Sequence, residues 1–175
     1  MKRISGRSLA AAIFGTTCAV VLLVTAQQPA PTDEHESKHE AMEHMNERGD
    51  KVMGFDHTKT THHFLLRSDG GAIQVAANDA ADKESRDQIR RHLRHIAKMF
   101  SEGNFAAPML VHETNPPGTA VMKQLKEKIK YEFGETEKGA EIRIRTSDTE
   151  ALNAVYEFLR FQIKEHVTGD PLTVE

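Results

Sequence analysis

Histidine is the residue type in this chain best placed to do chemistry: there are ten of them in 175 residues, against a single cysteine. They fall in groups, with His35, His39 and His44 in an acidic segment, then His57, His62 and His63, the pair His92 and His95, and finally His112 and His166. A neutral imidazole offers a nitrogen lone pair to a transition metal, and near neutral pH it can also take or give a proton. On a helix, His92 and His95 are three residues apart and present their rings to the same side, with Met99 one turn further on. The expected metal ligands are therefore His63, His92, His95 and His112, with His57 within reach from the start of the domain. Three or four imidazoles suit Zn²⁺ or Cu²⁺, and an added thioether tilts the choice toward copper. Adjacent strand residues point to opposite faces, so His62 and His63 should not share one ion.

Other chemistries find less support. Asp56-His57 and His112-Glu113 contain the ingredients of a general base with an orienting acid, but neighbours in sequence rarely face each other and no nucleophile elbow is present. The chain has neither a GxxxxGK[ST] loop nor a dinucleotide fingerprint, and Asp69-Gly70-Gly71 reads as a hairpin turn. Arg90, Arg91 and Arg94 read as a solvated helix face. An enzyme, such as a metal-assisted hydrolase or oxidoreductase, ranks third behind a metal-binding protein and a metal-free binding or assembly module.

The N-terminus sets the compartment. Lys2, Arg3 and Arg7 precede an apolar run from Leu9 to Ala26 that ends in Val24-Thr25-Ala26, small residues that suit signal peptidase. Residues 1–26 are read as an export signal, which places the chain in the periplasm or outside the cell; the alternative is an uncleaved inner-membrane anchor. Cys18 lies inside this run, so the mature chain has no thiol for a disulfide, a zinc-thiolate cage or a nucleophile. Losing Lys2, Arg3 and Arg7 leaves 20 basic against 26 acidic residues, a formal charge of −6 that argues against nucleic acid.

Residues 27–54 are polar and rich in His, Glu and Met. They read as a flexible tether in which a helix starts at Asp33. The domain spans 55–175 and contains an internal similarity with units at about 60–105 and 129–170. HFLLRSDGGA (63–72) overlays YEFGETEKGA (131–140), IQVAAND overlays IRIRTSD, and HLRHIAKMFSEGNF (92–105) overlays FLRFQIKEHVTGDP (158–171). Each unit reads as strand, turn, strand and helix, with Asn78-Asp79 or Ser147-Asp148 before the helix and Gly103 or Gly169 after it. The expected fold is α+β: a two-layer sandwich in which a four-stranded, mainly antiparallel sheet carries two long helices on one face, built from a ββα repeat.

The overlay also assigns faces. His63 takes the place of Tyr131, His92 that of Phe158 and His95 that of Phe161, which would bring imidazoles to aromatic core or flank positions. His62, Phe64, Leu66 and Gln74 are assigned to the uncovered sheet face, where a partner or a second copy of the chain would dock in the metal-free alternative. His166 is explained by the negative end of the last helix.

The segments MGFDHTKTTHHFLL, DGGAIQVAAND, IRRHLRHIAKMF and FLRFQIKEHVTGDP resemble those of a group of small bacterial proteins, many with an export signal, over roughly Met53 to Asp170. The resemblance implies a single folded unit in an exported chain, and no particular activity. Carbamoyl-phosphate chemistry is not expected, because no STRT-type phosphate-binding motif is present.

Overall fold

The computed structural model describes residues 33–174; the expected export signal and the first part of the tether lie outside the described residues. The elements run α1 (Asp33–Met53), β1 (Thr60–Arg67), β2 (Gly70–Ala77), α2 (Lys83–Ser101), α3 (Ala106–His112), α4 (Thr119–Gln124), β3 (Ile129–Glu135), β4 (Gly139–Thr146) and α5 (Thr149–Glu165). The four strands form one antiparallel sheet in the order β1-β2-β4-β3, with α2 and α5 packed on one face. The fold is the expected α+β two-layer sandwich. Among the described residues no helix is long and apolar enough to cross a membrane.

Alternation writes the sheet. Ile73 and Val75 on β2 and Ile142 and Ile144 on β4 are buried, while Gln74, Glu141 and Arg143 between them face the other way. On β1 the buried residues are Phe64 and Leu66, paired with Ile73 and Gly71. This corrects the face expected for His62, Phe64 and Leu66: they lie on the helix-covered side, and His63, Leu65 and Arg67 lie on the open side with Gln74. The cause is one turn residue. The first hairpin turns through Ser68 and Asp69, whereas the second needs residues 136–138, so an ungapped overlay of 63–72 on 131–140 slips β1 by one and inverts both its faces. By register, Phe64 opposite Ile73 matches Phe133 opposite Ile142, and His62 opposite Val75 matches Tyr131 opposite Ile144.

Each long helix crosses to the other hairpin: α2 packs mainly on β3 and β4, and α5 on β1 and β2. The α5 stripe Ala151, Val155, Phe158, Leu159, Gln162 and Ile163 is buried as its spacing predicts. Asp148 caps α5 by accepting from the N–H of Glu150 and Ala151. The cap of α2 is Asp82, which accepts from the N–H and hydroxyl of Ser85; Asn78 and Asp79 instead shape the preceding loop. The connector enters α4 through Gly118 at φ 79°, where an added Cβ would stand 2.1 Å from the carbonyl oxygen of Ala154.

The segment from Asp33, expected within a tether, forms α1 and docks. Met45 and Gly49 are its buried residues, Arg48 Nε donates to the Val111 carbonyl at 3.0 Å, and Asp50 accepts from the His57 N–H at 2.8 Å. At the other end of the chain, Asp170 closes the free edge of β1. Its carboxylate accepts from the Phe64 N–H at 2.9 Å and sits 2.8 Å from His63 Nδ1, so an edge donor that would invite another strand is occupied. Asp170→Ala should lower stability by about 1–3 kcal/mol, the range for orphaning a partly buried donor. Urea unfolding measures it, and a loss below about 0.5 kcal/mol would show that the C-terminal segment does not hold this edge.

Candidate functional site

Four imidazoles gather on the helix side of the sheet, at the end where β1, α3 and α5 meet under α1. His62 comes from β1, His92 from α2, His112 from the last turn of α3 and His166 from the residue that caps α5. With Phe64, Phe158 and other apolar side chains they line a cavity of about 80 Å³. Beyond it, a cleft of about 550 Å³ separates His62 and His166 from the Met42, Met45 and Met53 side of α1, and a further cleft of about 700 Å³ runs from His112 past Met42 and Met45.

The rings touch in sequence. His166 stacks on His62 with centroids 5.9 Å apart and planes 9° from parallel, and meets His112 edge-on at 5.0 Å. Phe55 joins His62 at 5.9 Å to His92 at 5.6 Å, and Phe64 lies 5.5 Å from His166. Two imidazoles on one tetrahedral ion have centroids about 5 Å apart, given a metal–nitrogen bond of roughly 2.1 Å. The His112–His166 spacing meets that requirement, whereas His62 and His166, stacked with nearly parallel planes, share an ion only if one ring turns. Among the described residues no three of these nitrogens lie within 4.8 Å of one another.

Burial holds these imidazoles neutral. Desolvation, with the neighbouring imidazoles, lowers His62 and His92 to about 4 and His166 to about 3. Burial lowers His112 as well, against the opposing pull of its hydrogen bond to Gln162 and of the Glu165 charge. No hydrogen bond joins the ring nitrogens of His62, His92 or His166 to another described residue. His112 Nε2 lies 3.1 Å from Gln162 Oε1, which leaves His112 Nδ1 and the Gln162 amide nitrogen buried without a partner. Gln162 is only 3% exposed and lines the cavity. The cavity therefore presents neutral imidazole nitrogens and one buried unpaired amide between apolar walls.

Of the five expected ligands, the structure brings together His92 and His112. His63 lies on the open face and pairs with Asp170. His95 is on the exposed side of α2. His57 sits in a short turn after α1, with Nδ1 3.0 Å from both carboxylate oxygens of Asp50. Asp50, Asp56 and His57 form a group with ligand atoms within 4.8 Å of one another. Asp56 Oδ1 accepts from the N–H and hydroxyl of Thr58, and the Asp50 carboxylate holds the His57 N–H and ring, so the group ties the turn after α1 together.

His62 and His166 were not expected at the site. The signal for His62 was the length of the two hairpin turns, which sets the face of β1. The signal for His166 was its place four residues after Gln162 on the buried stripe of α5. The negative end of a helix would raise an imidazole's pKa; at His166 desolvation wins and lowers it. Val167 follows at φ 49°, a left-handed conformation costly for a β-branched residue, so the chain turns sharply beside this ring. Arg90 and Arg94, whose charge would oppose a cation, turn away to Glu135 and to the carbonyls of Thr136 and Gly139, with Arg94 also 4.6 Å over the Phe133 ring.

No protein-family model matches the chain, and no curated protein or solved structure matches it.

The depressed imidazoles predict an acid-sensitive fold. Unfolded chains take up these protons near pH 6.5, while the folded protein refuses them until about pH 4 or below. The unfolded state therefore binds more protons across that interval, and stability present above pH 6.5 is lost as the pH falls toward 4, on the order of a few kcal/mol in total. Urea midpoints at pH 7.0, 5.5 and 4.5, with chelator present, should fall steadily. Equal midpoints would show that the rings are not buried as described.

Proposed function

We propose that this chain is an exported protein that binds a transition metal ion, copper or zinc, in the pocket ringed by His62, His92, His112 and His166. One observation carries the reading. Imidazoles from β1, α3 and α5 meet ring to ring, with His112 and His166 edge-on at the 5.0 Å spacing of two ligands on one ion and His62 stacked 5.9 Å from His166. Desolvating four imidazoles costs stability wherever Phe or Leu could pack instead, and an ion bound by neutral nitrogens offsets that cost. Export is supported by the basic start, apolar run and small residues of the first 26 positions.

The metal-free alternative, docking through the open sheet face, has less behind it. That face is cross-linked by its own charges: Arg143 with Asp69, Arg145 with Glu132, and the Gln74 amide with Glu141. An apolar docking surface of the usual kind is depleted in charge at its centre.

The full chain, made without a polyhistidine tag, should carry about one equivalent of copper or zinc by elemental analysis after loading and gel filtration. His62→Ala with His166→Ala should weaken binding by roughly tenfold to a hundredfold or more, the range for disrupting a metal site. His63→Ala with His95→Ala should leave it unchanged. A wild-type chain that stays metal-free after loading, or a His62/His166 variant that keeps its ion, would overturn the reading.

A further inference from the structure

The helix over the pocket is unusual in what it presents. In α1, Met42, Met45, Gly49 and Met53 follow one another at spacings of three, four and four, which places them on a single face. All four line a cleft that His62 and His166 also line, and Met53 reaches the inner cavity shared by the four imidazoles. Met45 is only 6% exposed, although the residues flanking it on α1 are mostly charged. Gly49 breaks the row with a residue that costs a helix interior about 1 kcal/mol. It is buried, and a Cβ there would meet only the Met53 methyl at 3.2 Å, so the face carries a notch between thioethers.

A helix that only needed to pack would be served by Leu or Ile at these positions. Methionine differs by a soft, polarisable sulfur, which binds Cu(I) far better than it binds the harder Zn(II). Polar contacts at the foot of the helix, from Arg48 to the Val111 carbonyl and Glu113 and from Asp50 to His57, fix which face looks into the cleft.

We propose that the Met42, Met45 and Met53 face of α1 supplies thioether ligands to an ion held by His62 and His166, making the pocket a mixed sulfur and imidazole site that selects Cu(I) over Zn(II). The proposal rests on the metal-binding reading above and deepens it by naming the ion.

The test is the variant Met42→Leu/Met45→Leu/Met53→Leu, in the full untagged chain. Met to Leu conserves volume and apolar character, so α1 should stay docked; unchanged far-UV helix content and urea midpoint check this. Cu(I) affinity is measured by competition with a chromogenic Cu(I) chelator, and Zn(II) affinity by competition with a zinc dye. The expected result is a loss of Cu(I) affinity of at least about tenfold, with Zn(II) affinity within about twofold of wild type, in keeping with thioethers serving the softer ion. X-ray absorption on the Cu(I)-loaded Cys18→Ser chain, in which every sulfur is a thioether, should show sulfur bound to copper. Unchanged Cu(I) affinity in the variant, or a copper spectrum with nitrogen alone, overturns the inference while leaving the metal site standing. A wild-type chain that binds neither Cu(I) nor Zn(II) overturns both.

Discussion

The two-residue turn at Ser68 and Asp69 locks Phe64 opposite Ile73 and His62 opposite Val75, and the chemistry of the helix side of the sheet follows from that register. A slip by one residue would bury His63, Leu65 and Arg67 and expose Phe64 and Leu66. Burying a Phe and a Leu stabilises by about 1.5–3 kcal/mol each, and burying an arginine without a partner costs more than either. The apolar pair therefore dictates the face. His62, two residues upstream of Phe64, is carried inward with it, and the gain at Phe64 and Leu66 offsets what its imidazole loses in hydration. The same register turns His63 outward to Asp170, which ties down the sheet edge next to the site.

Much of this fold was legible from residue patterns, and most of the site was not. Alternation in IQVAAND and IRIRTSD gave strands with the correct faces, and the 3.6-residue stripe from Ala151 to Ile163 gave the buried side of α5. These signals are local and repeat over several residues, so a single error does not erase them. The face of β1 depended on whether a hairpin turn held two residues or three, information that sits outside the strand itself. His166 was hidden for a different reason. Its position beyond the last full turn of α5 suggested solvent, yet α5 crosses to lie on β1, and the turn at Val167 folds the ring against His62 and Phe64. That crossing is a tertiary fact with no mark in the local sequence. His92 and His112 do line the cavity, His92 from a long helix that capping and periodicity marked and His112 from a short helix, Ala106–His112, that they did not. His57 and His63 were expected as ligands because a strand-region histidine looks the same in sequence whether or not a carboxylate waits beside it.

Charge is sorted between the two sides of the sheet. On the open face Arg143, Arg145, Asp69, Glu132, Gln74 and Glu141 satisfy one another close to water. On the rim of α2, Arg90 and Arg94 are drawn off to Glu135. The inner cavity at the α3 and α5 end is lined by imidazoles, the Gln162 amide, Met53 and apolar side chains, and charge returns in the outer cleft beyond His112, at Arg48, Glu113 and Glu165. With no neighbouring carboxylate to stabilise an imidazolium at His62, His92 or His166, desolvation decides their protonation unopposed. The lone pairs that a cation needs are thereby kept available well below the pH at which free histidine would protonate.

Of the three long helices, α1 buries the fewest described side chains. Of the described side chains in α1 only Met45 is buried, with Gly49 beside it, whereas α5 buries seven residues and α2 six. Besides Met45 and the partly buried Val52 and Met53, which pack on the core, the attachments of α1 are polar and partly exposed: Arg48 to α3, and Asp50 to the turn at His57. Elements with few buried apolar contacts open at a small fraction of the free energy of global unfolding. Lifting α1 uncovers His62 and His166 while Phe64, Ile73, Ile142 and Phe158 keep the sheet and its two long helices together. An ion bridging α1 to the sheet would add its binding free energy to just the contact that is weakest without it. Docking of the helix and occupancy of the pocket then become one equilibrium, and the methionine face is the part of the chain that feels both.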